Sequence, residues 1–295
     1  MVAAPSTLTL PDGRTLAYDD VGDPAGTPVV YLHGTPDSRL GRPADDVSAA
    51  AGVRLLAVDR PGAGDSDVHR GSTLASLGHD LARLLDALDL PRVLLVGWSG
   101  GGLAALGAST VLRERVAAVG LVGTLPPVEA YADPSLVSRL APGRRAFAEL
   151  FVGEPPRTVA ADVVPLLVPL PIDDEVARQH VLEQAGERGR DELAAAPGAV
   201  EALTAGLVAS VRAGLAGLEE DVAQQLEPGL DLTVITCPVR TFHGADDGIS
   251  PPEVGAWLVA RLPNAVLDLS PDAGHHLLFP RWRGILRALA RDAVI

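Results

Sequence analysis

The chain has 295 residues, of which 47 % are hydrophobic and only 3 % aromatic, and its formal net charge is −14. That length allows one large domain, or one domain with a substantial insertion, and so apolar a composition excludes a disordered chain. Phosphate backbones and acidic membranes repel an acidic protein, so no nucleic-acid and no membrane partner is expected, and the charge reads most simply as solubility. Every basic residue is an arginine, which with the abundant alanine suggests a GC-rich bacterial genome. The single cysteine, Cys237, rules out an intrachain disulfide and reads as a core residue in VITCPV. The first residues lack the basic start and apolar stretch of a signal peptide. No apolar run approaches the roughly 20 residues of a membrane helix, so the default expectation is cytoplasmic.

In chain order, STLTL and RTLAYDDV flank the turn signal PDG and read as a hairpin. Residues 28–34 and 53–62 are short β-rich runs ending in turn residues, as strands buried on both faces do, with a helix expected over 38–51. Apolar side chains recur at helical spacing over 73–88. A buried strand at 92–97, a helix at 100–113 and a strand at 116–123 follow. Alternation of this kind implies a mostly parallel sheet covered by helices on both faces. Residues 125–230 break the pattern with many prolines, amphipathic helical segments and no convincing strand, and their acidic residues read as a solvated face. Strands resume at 239–244 and 265–270. The expected organisation is an α/β core from 1–124 and 231–295, with a helical insertion at 125–230.

The segment VLLVGWSGGGLAAL carries the chemistry. Three successive glycines open a predicted helix, although each costs roughly 1 kcal/mol relative to alanine. Such local rule-breaking usually has a functional reason. Gly97-Trp98-Ser99-Gly100-Gly101 is G-x-S-x-G between a strand and a helix, where serine sits on a sharp turn with its hydroxyl above the sheet. A serine hydroxyl needs a base, and the base an orienting carboxylate. FHGADDGISPP and DAGHHLLFP follow the last two strands, so Asp247 and His275 fall at strand ends, with Asp246 and His276 as neighbours.

On these residues the chain resembles the α/β-hydrolase superfamily over nearly its whole length. The matching stretches are His33-Gly34-Thr35-Pro36, Asp59-Arg60-Pro61-Gly62, the GWSGG elbow, His243-Gly244-Ala245-Asp246-Asp247 and Gly274-His275. The resemblance implies the α/β-hydrolase fold with a helical cap, Ser99 as nucleophile, His275 as base and Asp247 as acid, the last chosen by the family's HG-x-x-D spacing and the following Pro251. It also implies an oxyanion hole from the backbone N–H groups of Thr35 and Gly100. The alternative position for the acid, after strand 116–123, holds Gly123-Thr124-Leu125 and no carboxylate.

His33, Gly34, Trp98 and His276 are candidates for the pocket wall, and His33 can also fix the oxyanion loop. Asp59 and Arg60 read as turn and packing residues, and His69, His79 and His180 as scattered and outside the chemistry. Neither H-E-x-x-H, a Cys/His cluster nor an early G-x-G-x-x-G is present, so no metal and no dinucleotide cofactor is expected. The expected function is a serine hydrolase acting on an ester, thioester or lactone of a small, fairly apolar substrate. Carbon–carbon hydrolysis, acyl transfer or terminal peptide cleavage by the same triad is the alternative. Dehalogenases and epoxide hydrolases are disfavoured because they carry aspartate at the Ser99 position and epoxide opening needs cap tyrosines. A ligand-binding module without catalysis is the reading from another class.

Overall fold

The computed structural model describes residues 4–140, 142, 145, 154–227 and 229–293. Eight strands, β1 Ser6–Thr9, β2 Thr15–Gly22, β3 Thr27–Leu32, β4 Val53–Val58, β5 Val93–Trp98, β6 Val116–Val122, β7 Val239–Gly244 and β8 Ala265–Ser270, form one sheet in the order β1-β2-β4-β3-β5-β6-β7-β8. The hairpin pairs antiparallel, β2 joins β4 antiparallel, and every pairing from β4 to β8 is parallel.

The central strands β5 and β6 are apolar on every residue, and β3 and β4 nearly so, because both faces are covered. Val30, Leu32, Leu56, Val58 and Leu95 point to one apolar layer, and their neighbours Val29, Tyr31, Leu55, Ala57 and Leu94 to the other. This is the period-two alternation of a pleated strand with two dry sides. In chain order the helices of the first part are α1 Asp45–Ala50, α2 Ser76–Ala87 and α3 Gly100–Leu112. Between β6 and β7 lie α4 Pro134–Val137, α5 Pro156–Leu167, α6 Asp174–Ala194, α7 Ala199–Ser210 and α8 Ala216–Gln225. Then come α9 Pro252–Val259 and α10 Leu278–Asp292. Helices α2, α3 and α9 cover the first layer through Leu81, Leu84, Leu103 and Leu258. Helix α10 covers the second with Trp282, Ile285 and Leu289.

The helix expected over 38–51 is confined to Asp45–Ala50. Its first half is a loop because Arg39 is drawn into a set of carboxylates, Asp19, Asp59 and Asp65, and the backbone N–H of Arg39 also donates to Asp59. Those bonds replace the helical ladder, and the helix begins only after Pro43, where proline is tolerated.

The segment between β6 and β7 stands over the C-terminal ends of the strands. Its helices bury a small apolar cluster of their own, with Val164, Ala177, Leu207 and Val222 among its members. Part of the expected insertion, 141, 143–144, 146–153 and 228, lies outside the described residues. No described helix is long and apolar enough to cross a membrane.

Candidate active site

Ser99 occupies the one-residue turn between β5 and α3, with φ 54° and ψ −123°. A non-glycine residue there carries strain of order 1–3 kcal/mol, held in place by its surroundings. The Ser99 N–H donates to the Val122 carbonyl at 2.9 Å, and the Ser99 carbonyl accepts from Gly102 at 3.0 Å. The glycines answer to close approach. A Cβ on Gly101 would collide with the carbonyls of Leu32 and His33, and one on Gly97 with the Gly101 backbone. Helix α3 therefore lies directly on the end of β3, and the Gly100 N–H opens the helix without an intrahelical acceptor.

Asp247 follows β7 and His275 follows β8. His275 Nδ1 and Asp247 Oδ2 are 2.9 Å apart, and Asp247 Oδ1 accepts from the N–H groups of Ile249 at 2.8 Å and Ser250 at 2.7 Å. Burial pushes the Asp247 carboxyl up. The charge and hydrogen bond of His275 and the two backbone donors outweigh it and hold the group below its ordinary value. A carboxylate that stays ionised fixes the imidazole with its proton on Nδ1 and leaves Nε2 as the basic atom. Gly123 passes against this pair, where a Cβ would stand 3.1 Å from His275 Nδ1. Asp246 points outward and pairs with Arg188 at 3.2 Å, so of the two neighbouring carboxylates only Asp247 reaches the histidine.

Ser99, His275, His276, Trp98, Gly34 and Thr35 all border one cavity of about 430 Å³. The helices above complete it with leucine and valine side chains, Leu166, Leu203, Leu207 and Val222 among them. Trp98 both walls the cavity and packs, since its ring lies 5.6 Å from that of His275 and its Nε1–H donates to the His275 carbonyl at 3.0 Å.

Three expectations are corrected by the geometry. His33 is buried and does not border the cavity; its Nδ1 lies 2.9 Å from the Gly34 carbonyl and its Nε2 accepts from the Arg60 N–H at 3.1 Å. Burial, with the nearby Arg60 charge, holds it far below the usual histidine range, so it stays neutral and braces the loop. His180 does border the cavity, from α6. Arg60 is more than a packing residue. Its guanidinium donates to the carbonyls of His33 and Gly34, to Thr35 Oγ1 and to Asp221 of α8.

The acidic residues of the insertion were expected to face solvent, and three of them, Glu192, Glu220 and Asp221, do not; Glu220 accepts from Arg157 and from the Gly71 N–H. Asp221 accepts from Arg60, from Thr35 Oγ1 at 2.8 Å and from Gln225 at 3.0 Å. Glu192 of α6 accepts from the backbone N–H of Gly274 at 2.7 Å and of His276 at 2.9 Å, the residues on either side of His275. Sequence patterning misses these, because the partners are backbone groups and residues up to 186 positions away.

The fold has known counterparts. The α/β hydrolase fold family profile matches residues 27–281, and the chain belongs to that family. Hydrolase is accordingly its class. Along 76 % of its length, and 81 % of the relative's, it is 30 % identical to a pimeloyl-[acyl-carrier protein] methyl ester esterase of Aromatoleum aromaticum. It is 29 % identical to a 2-hydroxy-6-oxononadienedioate/2-hydroxy-6-oxononatrienedioate hydrolase of Cupriavidus pinatubonensis, over 91 % of this chain and 88 % of that one. A solved hydrolase from Pseudomonas aeruginosa superposes with a TM-score of 0.65 over 98 % of this chain and 99 % of that one, at 24 % identity, and shares the fold.

Proposed function

We propose that the protein is a serine hydrolase that cleaves an ester, thioester or lactone of a small, fairly apolar substrate through an acyl-enzyme. The observation that carries this reading is the meeting, in one cavity, of a serine on a strained strand-to-helix turn and a histidine bonded to a buried, ionised aspartate. His275 takes the proton from Ser99, and Ser99 attacks the carbonyl. The backbone N–H groups of Gly100 and Thr35 hold the oxyanion, each such donor being worth about 10²–10³ in rate. Protonated His275 then gives its proton to the leaving group. Water activated by His275 releases the acid, and Asp247 keeps the imidazole in its tautomer throughout. The insertion acts as a cap that excludes water and shapes the pocket, whose size is that of a small-molecule site.

Ester chemistry is supported by the likeness to the methyl ester esterase. Carbon–carbon hydrolysis by the same residues is the second reading, favoured by the likeness to the dienedioate hydrolase. The test is hydrolysis of p-nitrophenyl esters from acetate to decanoate, with Ser99→Ala in parallel and fluorophosphonate labelling of both proteins. Ester turnover and labelling, both lost in the variant, support the first reading. Labelling of Ser99 without turnover of any ester moves the assignment to the second. Neither labelling nor turnover removes both.

A further inference from the structure

Two buried polar side chains border the cavity without a part in the reaction: Gln225, which is bonded to Thr35 and Asp221, and His276. His276 follows His275 in sequence, its ring lies 5.7 Å from those of His275 and Trp98, and it is 6 % exposed. Its Nδ1 is sealed from solvent and has no hydrogen-bond partner among the described residues. That atom faces Gly189 of α6, where even a Cβ would come within 2.7 Å. Burial, and after it the charge of neighbouring His275, lowers its pKa to about 3, so the ring is neutral.

A neutral imidazole carries one proton, on one of its two nitrogens. On Nδ1 the N–H would be buried against a helix with no acceptor, which costs about 1–3 kcal/mol. The proton therefore sits on Nε2, the nitrogen left on the cavity side of the ring. Two more polar side chains, His180 and Gln184, border the same cavity one turn apart on α6. Among the described residues that line it there is no Asp, Glu or Arg, and the chain has no lysine. A carboxylate would lose its hydration there without gaining a cation.

We infer that His276 Nε2–H, with His180 and Gln184, forms a hydrogen-bonding subsite free of carboxylate, guanidinium and ammonium groups, and that the substrate carries there a second, neutral oxygen acceptor such as a ketone carbonyl. This deepens the hydrolase reading and rests on it. It also separates this chain from the relative named for a dienedioate, by that name a dicarboxylate.

The experiment compares matched substrates. In the acyl series these are p-nitrophenyl pentanoate, 4-oxopentanoate and the succinate monoester; in the alcohol series, pentyl and 4-oxopentyl acetate. In at least one series the oxo ester is expected to exceed its plain counterpart about tenfold in kcat/KM, the size of one neutral hydrogen bond. The succinate monoester is expected to be the poorest. His276→Phe should bring the oxo-to-plain ratio to about one, and His276→Asn, which keeps a donor, should retain part of it. An oxo preference absent from both series, or surviving in His276→Phe, overturns the inference, as does a preference for the succinate ester.

A second readout needs no turnover. In ¹⁵N-histidine spectra of the Ser99→Ala protein, His276 should show the Nε2–H tautomer and shift on addition of 2-pentanone. An Nδ1–H tautomer, or no shift, overturns the subsite. Failure of the ester series together with absent labelling of Ser99 overturns the hydrolase reading instead.

Discussion

The strand-end loops of the sheet and the helical insertion above them contribute to the cavity in different ways. The loops after β3, β5, β7 and β8 supply the groups proposed to react, and strand pairing and close backbone contact hold them: Ser99 to Val122, Asp246 to Ala273, Gly123 to Phe242. The insertion supplies apolar wall, but it also reaches down twice with a carboxylate. Asp221 grips the Arg60–Thr35 side, where the oxyanion would sit, and Glu192 grips the backbone around His275. A covering segment that only shaped the pocket would leave those loops untouched when mutated. Here it also sets their positions, so the covering segment and the chemistry are energetically coupled.

Changes on the core side are expected to have the largest effects. Ser99→Ala should lower kcat on the order of 10⁶-fold with an unchanged circular dichroism spectrum; full activity in that variant would sink the mechanism. Asp247→Asn should cost about 10⁴-fold in kcat, because the amide no longer fixes the tautomer. Asp246→Asn, altering the outward carboxylate, is the control and should stay within a few-fold in a p-nitrophenyl acetate assay.

The insertion side comes next. Glu192→Ala leaves two buried backbone donors without acceptors and loosens the histidine loop. Its kcat should fall about 10²-fold, the effect of an error near 1 Å in the position of a reacting group. A value equal to wild type would show that the insertion merely covers the site. Arg60→Ala strands Asp221 and frees Thr35. It should lose about 3 kcal/mol in urea unfolding and more activity than Asp221→Asn, which keeps the shape of the contact.

The pH dependence of stability also divides between the regions. His243 and His276 are held neutral by burial, at about 4 and about 3. Lowered values mean that the unfolded chain takes up these protons first. Stability should therefore fall as pH drops from 6.5 towards 4, by up to about 1.4 kcal/mol per pH unit for each histidine. His276→Phe should flatten the slope of urea midpoint against pH, and an unchanged slope would show the ring already charged in the fold. Glu192 has the opposite sign. Burial raises its carboxyl above 4.5 against the pull of the Gly274 and His276 N–H groups. Its contribution is complete below 4.5 and is lost as pH rises through the raised value, so Glu192→Gln should gain relative stability over wild type across that rise.

The sheet was legible in the sequence, since strands buried on both faces are mostly apolar and turn residues mark their ends. The elbow was legible for a similar reason: glycines that break helix propensity at a strand end are required by the backbone contact of Gly97 and Gly101 with their neighbours. The shortened helix at Asp45–Ala50 was not, because the carboxylates that draw Arg39 away come from two other segments of the chain, β2 and the loop after β4.

What the sequence alone determined is the set of reacting side-chain types, the order in which they occur and the sheet that carries them. All of these follow from local pattern and from spacing along the chain. The tertiary structure decided that Asp247 and not Asp246 meets His275 and that Arg60 bridges the oxyanion loop to α8. It likewise decided that Glu192 and Asp221 leave solvent to hold the loops beneath them. Such pairings depend on which way a side chain turns at a loop and on partners far away in sequence, and only packing in three dimensions fixes either.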